Sequence, residues 1–221
     1  SESSSSVSYD RIPITYKVDN ADRGLTFEIK GVGKINKLSL YDRDNYSLIL
    51  RTAQVNNEPS PEEIVNRTKI DAIEAKIQDL TKARKIPLKN KGGKGTKLLD
   101  PQDLVILRTN KTQDGEEQSP VLFAKIYSKD GKIEPNEHFR KLNSKSEWHR
   151  TKGRCGVQSK VDLSNYVGPW LDIVVVIRVS AIFMGNDQSL QIRLAKILII
   201  KKQKMVPQIS EAARALMPDD D

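Results

Sequence analysis

Residues 171–202 read LDIVVVIRVSAIFMGNDQSLQIRLAKILIIKK. Two apolar runs flank Gly185-Asn186-Asp187-Gln188, a composition suited to a hairpin turn because Gly, Asn and Asp accept the positive φ angles that tight turns demand. In the first run every odd position from Leu171 to Phe183 is apolar, while Asp172, Arg178 and Ser180 fall on the even side. That period of two is the pattern of a strand with one face packed and the other at least partly wet. In the second run Leu190, Ile192 and Leu194 alternate with Gln191 and Arg193, and then the phase slips so that Ile197 and Ile199 carry the pattern. A bulge near Ala195-Lys196 re-aims the side chains after such a slip. Two long, bent strands predict a curved sheet or barrel. A transmembrane helix is excluded here, because charges interrupt both runs before about 18 apolar residues accumulate.

Outward from the hairpin, the chain keeps to short β patterns. Ile12, Ile14, Tyr16 and Val18 alternate as a strand, and Leu25, Phe27 and Ile29 form a second after a turn at 20–24. Gly31 and Gly33 are expected to break it. Residues 38–41 and 46–51 read as a hairpin around Asp42-Arg43-Asp44-Asn45. Ser60-Pro61-Glu62-Glu63 is a capping box with Pro at the first helical position, and Ile70, Ile73, Ile77 and Leu80 follow at helical spacing. The spacing predicts one long amphipathic helix over 61–85, its stripe a core face or a helix-pairing face. Strands are expected at 103–108 and 121–127, joined by an acidic loop at 114–117. A turn is expected at 128–132 and a short helix at 137–142. Residues 160–163 lead to a turn at Gly168-Pro169, and a last short helix is expected at 207–216. The domain reading is a disordered arm over 1–10, a single β-rich domain over 11–203 with a basic loop at 86–98, and a short helix with an acidic tail over 204–221.

Lys and Arg number 37 against 29 Asp and Glu, a net charge of +8. Asp219, Asp220 and Asp221 hold three of the acids, so the rest of the chain is more basic still. The excess favours a polyanionic partner, nucleic acid first and an anionic membrane surface second, with a merely solvated surface as the bland alternative. Cys155 is alone, which rules out an internal disulfide and fits a reducing compartment. The opening SESSSSVS has neither a basic nor an apolar leader region, so an intracellular location is expected.

Two segments concentrate the basic charge. Residues 82–97 carry seven basic residues and no acid, among them Lys85, Lys89, Lys91, Lys94 and Lys97, with Gly92, Gly93 and Gly95 loosening the second half. The stretch GGKGTK is not a phosphate loop of the Walker type, since Gly95 rather than Ser or Thr follows Lys94. It reads either as a solvated loop or as a flexible arm on phosphates. Residues 138–160 interleave Arg140, Lys141, Lys145, Arg150, Lys152 and Arg154 with Phe139 and Trp148. Charge for the backbone plus rings for the bases is what sequence-tolerant single-strand binding requires; alternatively the two rings plug the core. Trp148 has no apolar neighbours in periodic register, which favours exposure. Tyr127, Tyr166 and Trp170 are secondary candidates.

Chemistry beyond binding finds little footing. His138, His149 and Cys155 have no recognised zinc spacing, Cys155 lacks a local base, and no cofactor is expected. Glu74-Ala75-Lys76 has the Glu-x-Lys form of some metal-dependent nucleases, but it falls inside the predicted helix rather than on a strand.

Over residues 119–202 the order of SPVLFAKI, a basic segment, VVVIRVSAIFM, a turn and LQIRLAKILIIKK resembles the single-stranded-DNA-binding proteins of DNA viruses, of the T7 phage type and its counterparts in large eukaryotic DNA viruses. The resemblance implies an OB-type barrel and a non-enzymatic accessory role in replication, recombination or repair. With the helix over 61–85 as an elaboration beyond a minimal barrel, the expected fold is mainly β with one long helix, an elaborated OB-like barrel. DNA is then the expected strand in preference to RNA, and replication proteins are expected partners of the C-terminal tail, although three Asp make a short one. It implies a host cytoplasmic or nuclear location, with packaging in virions and self-association left open and no membrane partner. The alternative is a nucleocapsid, coat or movement-type protein that binds RNA, and a metal-dependent nuclease comes third.

Overall fold

The structure, a computed structural model, describes residues 10–19, 21–40, 43–51, 60–85, 99–109, 115, 120–143, 148–149, 153–154, 157–184 and 188–203. Strands β1 (Asp10–Pro13), β2 (Thr15–Val18), β3 (Ala21–Leu40) and β4 (Arg43–Arg51) precede the long helix α1 (Pro61–Arg84). After it come β5 (Leu107–Arg108), β6 (Val121–Ile126), β7 (Ser128–Lys129), β8 (Lys132–Ile133), β9 (Phe139–Leu142), β10 (Trp148–His149), β11 (Gly153–Arg154) and β12 (Gln158–Lys160). The long hairpin β13 (Trp170–Met184) and β14 (Gln188–Lys202) follows. Among the described residues the fold is mainly β with one long helix, as the periodicities predict.

The hairpin is the hub. Leu171, Ile173, Val175, Ile177 and Val179 on β13 are buried, as are Leu190, Ile192, Leu194, Ile197 and Ile199 on β14. Each such side chain contributes about 1.5–3 kcal/mol on leaving water. The predicted bulge is present: Val176 pairs with Lys196 and Ile177 with Leu194, so Ala195 is the extra residue. Two more register shifts fall between Asp172 and Ile173 and between Val179 and Ala181. Beyond the last of these Ile182, on the even side, turns into the core. Three bulges on one hairpin bend it strongly, since each adds local twist.

β3 runs antiparallel to β13 over residues 25–34 and to β4 over residues 33–40. β6 lies antiparallel to β4 and meets β14 in parallel at the single pair Lys125–Arg193. Because β14 also pairs with β13, the pairings β3–β4–β6–β14–β13–β3 return to their start. β9 extends the other end of β14 in parallel, and β12 pairs with β9. β1 takes over the edge of β13 beyond Val179, where β3 leaves it.

Some expectations are corrected. Gly31 and Gly33 do not end their strand, which continues through both. A Cβ at Gly33 would stand 2.5 Å from Ile173 Cδ1 and 3.1 Å from Leu48 Cδ1, so the missing side chain lets β13 and β4 close on β3 at the point where it changes partners. Residues 139–142 form a strand rather than a short helix, because β14 offers them an edge. The strand expected over 103–108 shrinks to Leu107–Arg108 behind a 3₁₀ turn at Pro101–Asp103. The N-terminal strand divides at Ile14, whose N–H donates to Ser180 O at 3.0 Å, into pieces on β13 and β3. The arm over 1–9, the acidic loop's 114 and 116–117 and the helix expected at 207–216 lie outside the described residues.

α1 starts as its capping box requires: Glu63 N–H donates to Ser60 Oγ at 3.2 Å and Ser60 N–H to Glu63 Oε2 at 2.7 Å. It ends at Lys85 in the left-handed conformation. Its buried face is Asn66, Ile70, Ile77 and Thr81, whereas Leu80 is exposed and Ile73 only partly covered. The stripe is thus rotated toward two polar residues, each satisfied. Asn66 Nδ2 donates to Lys30 O at 2.7 Å and Thr81 Oγ1 to Ile77 O at 2.7 Å. Glu74, the acid of the nuclease-like triplet, accepts from Ile106 N–H at 2.6 Å and pins the loop behind the helix.

Candidate nucleic-acid interface

The candidate site grows from the pleat of β6. Leu122, Ala124 and Ile126 are buried, so alternation turns Phe123 and Lys125 outward. Tyr127 follows, 65% exposed. The result is an aromatic–lysine–aromatic row on the outer surface. Next to it β14 contributes Gln191 and Arg193, β4 contributes Asn45 and Ser47, β5 contributes Arg108, and Arg11 arrives on β1. These residues border a cavity of about 350 Å³. A second cavity of about 170 Å³ shares Asn45, Lys125 and Arg193 with it and extends to Tyr127. Among the described residues, no acidic side chain lines either cavity. The groove exists because β6 and β14 touch at one rung only and then separate.

The register across this surface is unusual in charge. Lys125 pairs with Arg193, and Arg193 with Arg178 on β13. Directly opposed residues project to the same face, so three adjacent strands hold a cation at one rung. None of the three forms an ion pair with a described residue. Ser47, opposite Lys125 on β4, has a buried hydroxyl with no hydrogen-bond partner among the described residues. Nearby, the β3–β4 hairpin is fastened by Lys37 Nζ and Asp44 Oδ2 at 2.7 Å. The hydrogen bond to Asp44, then its charge, raises the Lys37 amine above the usual lysine value.

The residues that the sequence nominated lie elsewhere. Phe139, expected to stack on a base, is 4% exposed and belongs to the core, which corrects that assignment: β9 turns the ring inward as it docks on β14. Arg140 Nε donates to Glu137 O at 2.8 Å. Lys141 Nζ lies 5.8 Å from the centroid of the buried Tyr166 ring, and Lys202 Nζ lies 4.9 Å from it. Trp170 carries the Arg51 guanidinium at 3.9 Å. These rings already have cations on them. Trp148 and Arg154 are brought opposite each other by the β10–β11 pairing. Lys85 is exposed at the C-cap of α1, where its N–H donates to Lys82 O. Lys89, Lys91, Lys94, Lys97, Lys145, Arg150 and Lys152 fall outside the described residues. Of the secondary candidates only Tyr127 presents an open ring.

Phe123, Lys125, Arg193, Arg108 and Arg11 were not nominated. The signal for the first two was present: in VLFAKIY the apolar positions 122, 124 and 126 leave Phe123, Lys125 and Tyr127 on the opposite face. Among the described residues no three His, Cys, Asp or Glu side chains gather as a metal site, and no helix is long and apolar enough to cross a membrane.

Among its described residues the molecule is therefore mainly β with one long helix, and a groove on its sheet is rimmed by cations without a described acid. The chain belongs to the family described as Protein of unknown function (DUF2738), whose model matches residues 27–220. No curated protein matches the chain, and no solved structure does.

Proposed function

We propose that this chain binds single-stranded nucleic acid without sequence preference, DNA before RNA, and does so in the groove between β6 and β14. The observation that carries the reading is the combination of Arg11, Arg108, Lys125 and Arg193 with Phe123 and Tyr127 on a surface whose described lining residues include no acid. Cations neutralise phosphates and an open ring accepts any base by its π face, which is the chemistry of sequence-tolerant binding. The strand order supports an OB-like reading of the fold. Three strands meander, the last two return as a hairpin, and the third lies parallel to the fifth, as in a partly open five-stranded barrel that binds oligonucleotides. The long helix is then an insertion between the second and third strands. An accessory role in replication, recombination or repair follows from the resemblance and is part of the same proposal.

The test is a titration of labelled dT, U and duplex 20-mers with the full chain, with magnesium present. Retention of intact dT 20-mer ahead of duplex, with affinity falling steeply as salt rises, is the expected result. Equal or stronger binding of duplex, no binding, or cleavage of the oligomers overturns it.

A further inference from the structure

Like charges placed directly opposite on neighbouring strands destabilise a sheet. Here that arrangement occurs twice in succession, Lys125 against Arg193 and Arg193 against Arg178, and no described carboxylate relieves it. Arg178 lies outside the groove. It is exposed on β13, and its side chain runs beside Gly24 of β3, where an added Cβ would stand 3.6 Å from Nε. The guanidinium therefore leans away from Arg193, which spreads the three charges over more than the two strand spacings between β6 and β13. Neighbouring strands are about 4.8 Å apart, so the row spans about 10 Å at the backbone and more at the charged tips.

Resting on the reading above, we infer that the ligand is an extended phosphodiester chain that crosses the strands at right angles, with successive phosphates on Lys125, Arg193 and Arg178. The bases on the Lys125 side turn toward Phe123 and Tyr127, and the site continues past the groove onto β13. A mononucleotide spans only one end of this row. A chain of several nucleotides spans all of it, so the ligand is a polymer and not a nucleotide.

The experiment compares Arg178→Gln with Lys125→Gln and Arg193→Gln, each as the full chain, by melting temperature and by affinity for dT oligomers from 2 to about 12 residues. Arg178→Gln should melt at or slightly above the wild-type temperature, by up to about 3 °C. It should bind the longer oligomers about tenfold more weakly, and the magnitude of its salt slope should fall by about 0.7. Its binding of dT dimers should match wild type. If Arg178→Gln keeps wild-type affinity and slope for every length while the two groove variants lose theirs, the crossing path is wrong and the groove still binds. If none of the three variants changes binding, the groove assignment itself fails. A lower melting temperature for Arg178→Gln with unchanged affinity would make Arg178 a structural residue and also overturn the path.

Discussion

Two basic, ring-bearing regions lie toward opposite ends of β14, and they differ in what covers the rings. At the β6 end, Tyr127 is 65% exposed and the cations beside it have no ion-pair partner among the described residues. At the β9 end, Tyr166 is buried beneath Lys141 and Lys202, and Trp170 lies under Arg51. A ring that already holds a cation is part of the structure's own packing, whereas an uncovered ring beside uncompensated cations is available to a ligand. Composition alone ranks the two regions the other way, since residues 138–160 are the richer in charge. On the proposed reading, the state of the rings rather than the density of charge in the sequence points to the site.

The sharpest way to break this comparison is to remove one tyrosine from each region. Tyr166→Ala should destabilise by about 3–5 kcal/mol, the loss typical of a large buried ring, and lower the melting temperature by about 6–20 °C. Tyr127→Ala should leave melting unchanged and weaken dT binding by about tenfold. Thermal melts with parallel anisotropy titrations read both; a stable Tyr166→Ala that has lost DNA binding would exchange the two roles.

Charge reversal comes next. Lys125→Glu with Arg193→Glu should cut affinity by at least about a hundredfold, because two charge-assisted contacts are replaced by repulsion. The matched pair Lys141→Glu and Lys202→Glu should cost less than about tenfold in binding while reducing stability. A larger binding loss from the second pair would relocate the site to the β9 end.

A smaller effect separates the tryptophans. If the β10–β11 hairpin joins the DNA path, Trp148→Ala loses about tenfold in affinity and most of the fluorescence quench caused by poly(dT). Trp170→Ala, whose ring is engaged by Arg51, should keep both. A quench that disappears only with Trp170 would show that Arg51 leaves its ring on binding.

The smallest effect is electrostatic. Asp44 raises the Lys37 amine, so this contact contributes fully below the unfolded lysine value and is lost only as pH rises through the higher folded value. Asp44→Asn should bring the Lys37 titration, followed by NMR, down toward its ordinary position with no loss of DNA binding at neutral pH. An unchanged titration would mean that another group holds the amine.

Much of the scaffold was legible because local rules and tertiary packing agree there. The period-2 face of residues 171–179, the phase slip at Ala195 and the Ser60 capping box each depend on neighbours in sequence, and each recurs in the structure. Where a distant strand decides, the reading failed. Phe139 reads as a stacking ring or a core plug within a short helix, and the open edge of β14 decides it by drawing residues 139–142 into a strand and the ring into the core. Gly31 and Gly33 looked like strand breakers, but a strand changing partners needs the space that glycine leaves.

By itself, then, the chain's sequence determined the class of fold, the hub hairpin, the helix and the net basic charge, because periodicity, capping and charge balance are properties of nearby residues or of simple counts. Only the tertiary structure decided which cations stand together and which rings stay open. Arg11, Arg108, Lys125, Arg178 and Arg193 are scattered from one end of the chain to the other. Register brings three of them to one rung, and the divergence of β6 from β14 opens the groove. Strand pairing across long sequence separations, which local pattern does not encode, is the physical reason.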